Sequence, residues 1–136
     1  MPDRYLLDTH VFLDIANPAK PPGGVVGRVL NDANAQVFLS VVTVAEVCIK
    51  AALGKLEMPQ AIAADPAAGF RAACADAGFT LVPVEVEHAA MLRSLPSHHK
   101  DPFDRLLIAQ AMHHELVLIS RDYIFSAYTG LMLLRP

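Results

Sequence analysis

The sequence predicts an α/β sandwich, a mostly parallel sheet of four to five strands packed between helices. Two observations carry this. Short apolar segments alternate with stretches of helical periodicity. Those segments are also apolar throughout rather than at every second residue, the pattern of strands buried on both faces. The chain shows no internal repeat, linker or low-complexity segment, so its 136 residues are read as one domain, 1–136, large enough to bury a real core.

The elements follow in order. Tyr5 to Leu7 is a short apolar strand, and Val11, Phe12 and Ile15 mark the helical turns after it. "NPAKPPGG" (Asn17 to Gly24) breaks regular structure with three prolines and two glycines. Gly24 to Ala33 reads as a helix with Val25, Val26, Val29 and Leu30 inward. "VFLSV" (Val37 to Val41) is the second strand, and a helix from about Val44 to Leu53 stops at Gly54. Pro66 to Ala77 is helical, with Gly78 placed to adopt the left-handed conformation that ends a helix. "FTLVPV" is a third strand, Val86 to Leu95 a short helix, and Asp101 opens a helix reaching about His114. "LVLIS" (Leu116 to Ser120) is a further buried strand, and Leu131 to Leu134 the candidate for a last one.

Composition narrows the class. Hydrophobic residues make up 54% and the mean hydropathy is +0.36, which implies either an extensive core or apolar surface covered by a partner. No run reaches the roughly 18–20 apolar residues of a membrane span, and "MPDRYLLDTH" lacks the layout of a signal peptide. A cytoplasmic location is expected. Cys48 and Cys74 are too far apart for a zinc knuckle or a redox pair and read as reduced core residues. The net charge of −3 speaks against a nucleic-acid partner only if every acid is a surface acid. Set aside four of the 14 acids as a metal site, and 10 remain against 11 Lys and Arg.

Four carboxylates take similar places in this map. Asp8 ends the first strand, Glu46 follows the second, Asp104 lies in the first turn of the helix opened by Asp101, and Asp122 follows "LIS". In an open α/β sheet the ligand crevice lies outside the carboxyl ends of the strands. Acids converging there raise one another's pKa, a cost that hard divalent cations with oxygen ligands, Mg²⁺ or Mn²⁺, would remove. Each acid also has a structural reading. "TVAE" (Thr43 to Glu46) matches a capping box, and "DPFD" places Asp101 as N-cap, Pro102 at N1 and Asp104 where the helix dipole favours an acid. Asp122 alone is an ordinary loop acid. Asp14 and Asp32 read as solvated surface acids. Asp8, between Leu7 and Val11, is the hardest to explain without a partner.

Taken together, "YLLDTHVFL", "SVVTVAEVCIK", "HHKDPFDRLLIAQA" and "LISRD" closely resemble, in order and nearly end to end, the PIN-domain proteins. Within them the chain looks like the VapC toxins of bacterial toxin–antitoxin pairs. The resemblance implies a PIN-like three-layer sandwich with a twisted sheet, and a Mg²⁺- or Mn²⁺-dependent ribonuclease. It places the family's acidic quartet on Asp8, Glu46, Asp104 and Asp122, as metal ligands and catalytic residues, with Asp122 at the edge. It also implies a cognate antitoxin of the VapB type, an RNA substrate and a homodimer.

Weaker candidates surround the acids. Thr9 and Ser120 either orient ligands and waters or are structural hydroxyls. His99 either contacts substrate or fixes its loop. Arg105 either meets phosphate or pairs with an acid. Lys50, Lys55, Lys100 and Arg121 are candidates for an RNA-binding rim. A histidine-based metal site is set aside, because His113 and His114 lie at the far end of the helix from His98 and His99. Two other functions compete. A non-catalytic binding module would use the acids only as caps. An aspartyl-phosphate phosphatase would need a second acid two residues after Asp8, where this sequence has His10.

Overall fold

The computed structural model describes residues 3–136. Five strands form a single parallel sheet in the order β3-β2-β1-β4-β5. They are β1 (Arg4–Leu7), β2 (Gln36–Ser40), β3 (Thr80–Val82), β4 (Val117–Ile119) and β5 (Leu133–Leu134). Helices α1 (Thr9–Ala16) and α2 (Gly24–Asn31) join β1 to β2, and α3 (Val41–Ala52), α4 (Gln60–Ala63) and α5 (Pro66–Ala77) join β2 to β3. Helices α6 (Val86–Met91) and α7 (Pro102–His113) lead to β4, and a 3₁₀ turn, Tyr123–Ala127, leads to β5. Among the described residues, no helix is long and apolar enough to cross a membrane.

Side chains alternate across the strands, so the apolar strands feed two cores. Leu7, Val37, Leu39 and Ile119 face Val11, Phe12, Val29, Phe70 and Cys74 on one side of the sheet. Leu6 and Leu118 face Leu107, Ile108, Ala111, Phe125 and Tyr128 on the other. This is the three-layer sandwich expected from strands apolar throughout. Cys74 is buried and Cys48 half-buried, and both are free thiols.

Gly78 ends α5 at φ 76°, as its position after Ala77 predicts. Helix α2 stops at Asn31 and α6 at Met91, short of expectation, and two further differences have a local cause. Helix α3 starts at Val41 rather than Val44, because the Ser40 hydroxyl accepts from the Val42 amide and caps it there. Helix α4 is unpredicted: its four residues are too few to show a period, and it is held by packing on α5. The contact is so close that a Cβ on Gly69 would lie 2.6 Å from the Cα of Ile62.

The strand order sets the place of the site. From β1 the chain builds outwards to β2 and β3, then returns to add β4 on the opposite side of β1. The carboxyl ends of β1 and β4 therefore flank the point where the winding reverses, where an open parallel sheet leaves a crevice.

Candidate active site

Asp8 and Ser120 come from those two strand ends. The Asp8 amide donates to the Ile119 carbonyl, carrying the ladder one residue beyond β1. The residue is 6% exposed and each carboxylate oxygen accepts one hydrogen bond: Oδ1 from the Thr9 amide at 2.7 Å, and Oδ2 from the Ser120 hydroxyl at 2.6 Å. Desolvation by burial is the largest influence on it and raises its pKa above the ordinary 3.8, against the lowering effect of those two hydrogen bonds. Ser120 in turn accepts from the Asp122 amide at 3.0 Å, so one hydroxyl ties the Asp8 carboxylate to the loop after β4.

Glu46 reaches the rim from inside α3. The capping box suggested by "TVAE" is not formed: with Ser40 as cap, Thr43 and Glu46 both lie within the helix and are buried. The Thr9 hydroxyl donates to Glu46 Oε1 at 2.7 Å. Since that commits the only Thr9 proton, the 3.0 Å contact between the two threonine hydroxyls runs from Thr43 to Thr9. Thr9 is thus a positioning hydroxyl. Thr43, which the sequence offered only as a cap, is the second link. The ammonium of Lys50, one turn further on, lies 2.6 Å from Glu46 Oε2. Hydrogen bonding to Glu46, with the charges of Asp101 and Asp104 adding to it, raises the Lys50 pKa against desolvation.

Helix α7 brings Asp104. Asp101 caps it as predicted, its Oδ1 accepting from the Phe103 amide at 2.9 Å, with Pro102 in the first turn. Among the described residues, no cation is bonded to Asp104. Desolvation first, then the charges of Asp101, Asp8 and Glu46, push its carboxyl up to about 7, against a smaller lowering by His99. Asp101 is therefore both a cap and part of the negative field at the rim.

Asp122 stands apart. Its Oδ2 bonds His99 Nε2 at 2.9 Å and its Oδ1 accepts from the Ile124 amide at 3.0 Å. Desolvation raises its pKa, but the His99 and Ile124 hydrogen bonds outweigh it and the carboxyl is held below 3.8. His99 is buried between the Phe125 and Tyr128 rings and bonds the Tyr128 hydroxyl through Nδ1. The histidine fixes this loop and orients Asp122. Among the described residues, no three acids bring an oxygen each within 4.8 Å of one another. The donor set is nevertheless all oxygen, and it carries a desolvated carboxyl that forms no ion pair among the described residues, which fits a hard divalent ion.

Three expectations are corrected. Arg105 pairs with no acid among the described residues: it donates to the carbonyls of Leu92, Leu95, Pro96 and, at 3.4 Å, His99, pinning the loop before α7. A forked guanidinium suits several converging carbonyls better than one carboxylate. Asp14 is no free surface acid, since Arg121 lies 2.5 Å and Lys20 3.6 Å from its carboxylate. Arg121 is to that extent withdrawn from the rim, while Lys55 and Lys100 are exposed. Finally, His113 and His114 do lie far from His99, but they meet His88, whose position in α6 the sequence gave no reason to place beside them. Gln110 was also missed. Buried on α7, it donates to the carbonyls of Val82 and Pro83 and accepts from Ser40, joining α7 to the ends of β2 and β3.

Two cavities lie elsewhere on the molecule. One of about 190 Å³ lies between Asp14, Lys20 and Arg121, and one of about 130 Å³ between Arg4, Glu85 and His114; neither includes Asp8, Glu46 or Asp104.

A parallel α/β sandwich with an acidic rim at its winding reversal defines the class of protein. The PIN domain family model matches residues 5–131, and the chain belongs to that family. No curated protein sequence matches it. Solved structures with the same fold include VapBC2 from Rickettsia felis bound to a DNA fragment from their promoter, at 13% identity and a TM-score of 0.71 over 98% of each chain. FitAcB from Neisseria gonorrhoeae matches at 23% identity and 0.59 over 96% of each chain. VapBC-5 from Mycobacterium tuberculosis, of the VapBC family of toxin-antitoxin systems, matches at 22% identity and 0.59 over 98% of each.

Proposed function

We propose that this chain is a divalent-metal-dependent endoribonuclease and the toxin of a VapBC-type toxin–antitoxin pair. The observation that carries the reading is Asp104, pushed to about 7 by burial and by the charges of Asp101, Asp8 and Glu46. A fold does not retain such a cluster for stability, and a cation relieves it. Asp8, Glu46 and Asp104 would hold the ion, Mg²⁺ or Mn²⁺, with Asp122 at the edge.

When bound, such an ion supplies Lewis acidity at the phosphate and makes water a better nucleophile. The chain's own groups do the rest. Ser120 and the Thr9 amide fix both oxygens of Asp8, and Thr43 and Thr9 fix one oxygen of Glu46. The ligands are thereby oriented before binding, which favours a single coordination geometry. Asp104 has to release its proton, so metal affinity falls as pH drops below about 7. Lys50, bonded to Glu46 and within the field of Asp101 and Asp104, is the cation best placed to meet a phosphate of the substrate RNA.

The location in this reading is the cytoplasm, with a VapB-type antitoxin and a second copy as partners. The exposed Ile49 of α3 and Leu53 just after it are apolar surface suited to such contacts. Purified protein should cleave RNA with Mg²⁺ or Mn²⁺, and EDTA or Asp8→Asn should abolish cleavage. Expression without the antitoxin should halt growth, and the Asp8→Asn form should not. Cleavage that persists in both Asp8→Asn and Asp104→Asn would overturn the proposal.

A further inference from the structure

The three-histidine cluster lies at the other end of α7. From Asp104 to His113 is nine residues, about 14 Å of helix. His88 of α6 is fully buried, His114 half-buried and His113 exposed, and one ring nitrogen from each lies within 4.8 Å of the others. The rings pack edge-on, with centroids 4.8–5.1 Å apart and planes crossing at 64–85°. His88 Nε2 is 3.0 Å from His114 Nε2. Imidazoles gathered this way from α6 and the C-terminal end of α7 have nitrogen lone pairs as their shared chemistry.

We propose that His88, His113 and His114 form a second metal site, for a borderline divalent ion of the Zn²⁺ class. The inference is independent of the nuclease reading. Zinc–nitrogen bonds of about 2.0–2.1 Å in tetrahedral geometry separate ligand nitrogens by about 3.4 Å. His88 and His114 need only open slightly, and the exposed His113 closes the remainder by rotating its side chain. Water completes the fourth position from the solvent side. The two sites then sort ions by ligand type, since three imidazoles suit zinc, copper or nickel, and the acidic rim suits magnesium or manganese.

One feature of the cluster sets its strength. His88 Nδ1 accepts from the Glu85 amide at 2.9 Å, so in the neutral ring the proton sits on Nε2 and is donated to His114. Binding an ion at Nε2 requires that proton to move to Nδ1, with no net change in charge, and the Glu85 amide gives up its acceptor. The loss lowers affinity by roughly tenfold or more relative to a site that keeps such a bond. The ion in return bridges α6 to the end of α7.

The test uses full-length protein without a histidine tag, titrated with ZnCl₂ in millimolar Mg²⁺, and reads no nuclease activity. One equivalent should bind wild-type and Asp8→Asn protein alike, and affinity should fall at least tenfold in the His113→Gln/His114→Gln double variant. In parallel, ¹⁵N spectra of the wild-type rings should show the His88 proton on Nε2 without zinc and on Nδ1 with it. That second measurement needs no variant to fold. Equal zinc affinity in wild type and double variant, or a His88 Nε2 proton retained at zinc saturation, overturns the site.

Discussion

Replacing Asp104 by Asn should stabilise the metal-free protein, and only at neutral to alkaline pH. Asp104 titrates at about 7 in the fold against 3.8 in an unfolded chain, so the folded state holds the proton more tightly. Below 3.8 both states are protonated and the group has no effect. As pH rises through 3.8 the unfolded carboxyl ionises first, stability falls, and the full penalty is reached above about 7. At 1.36 kcal/mol per pH unit the interval corresponds to about 4 kcal/mol. The carboxyl is only half-buried, and solvent screening and local relaxation reduce this to about 1–2 kcal/mol. Asn resembles the protonated acid at every pH, so the gain should approach that figure at pH 8 in EDTA, an increase of about 3–8 °C in Tm for a domain of this size. It should shrink to less than half at pH 5. Saturating Mg²⁺ should reverse the order, stabilising wild type more than the variant. Thermal unfolding across pH 5–8, with EDTA or Mg²⁺, reads all of this. A gain of equal size at pH 5 and pH 8 would refute the assignment of strain to the charged Asp104.

Other perturbations test the supports of the site. Ser120→Ala removes a hydroxyl from Asp8 Oδ2 and should weaken Mn²⁺ binding by about 10–100-fold in a calorimetric titration, with a loss of about 1–3 kcal/mol in stability from the buried groups left unpaired. Arg105→Lys replaces a fork on several carbonyls with a single ammonium; urea unfolding should show a loss of about 1–3 kcal/mol. Gly69→Ala forces a Cβ to 2.6 Å from the Ile62 backbone, and the same assay should show a loss of about 1–3 kcal/mol.

Much of the fold is legible in the sequence because burial on both faces leaves strands no polar positions. "YLL", "VFL" and "LVLI" need no tertiary information to be read as strands, and Gly78 and Asp101 mark helix ends through local backbone chemistry. Asp8, Glu46 and Asp122 are likewise visible as acids after strands, and Asp104 as an acid at a helix start. Their inequality is not. A Thr-x-x-Glu spacing is the same at the start of a helix and inside one, and only the Ser40 cap moves Glu46 from a capping role to the rim. Asp122 resembles the other acids until the Phe125 and Tyr128 rings hold His99 against it.

What the sequence determined by itself is therefore the class of architecture, the helix ends and the set of acids, since these follow from solvation and local hydrogen bonding. What the tertiary structure decided is partnership. It spent Arg105 on carbonyls, bound Arg121 to Asp14, aimed Thr9 at Glu46 and gathered His88 with His113 and His114. Each pairing joins residues whose separation along the chain carries no signal, because Coulombic and hydrogen-bonding energies depend on distance in space.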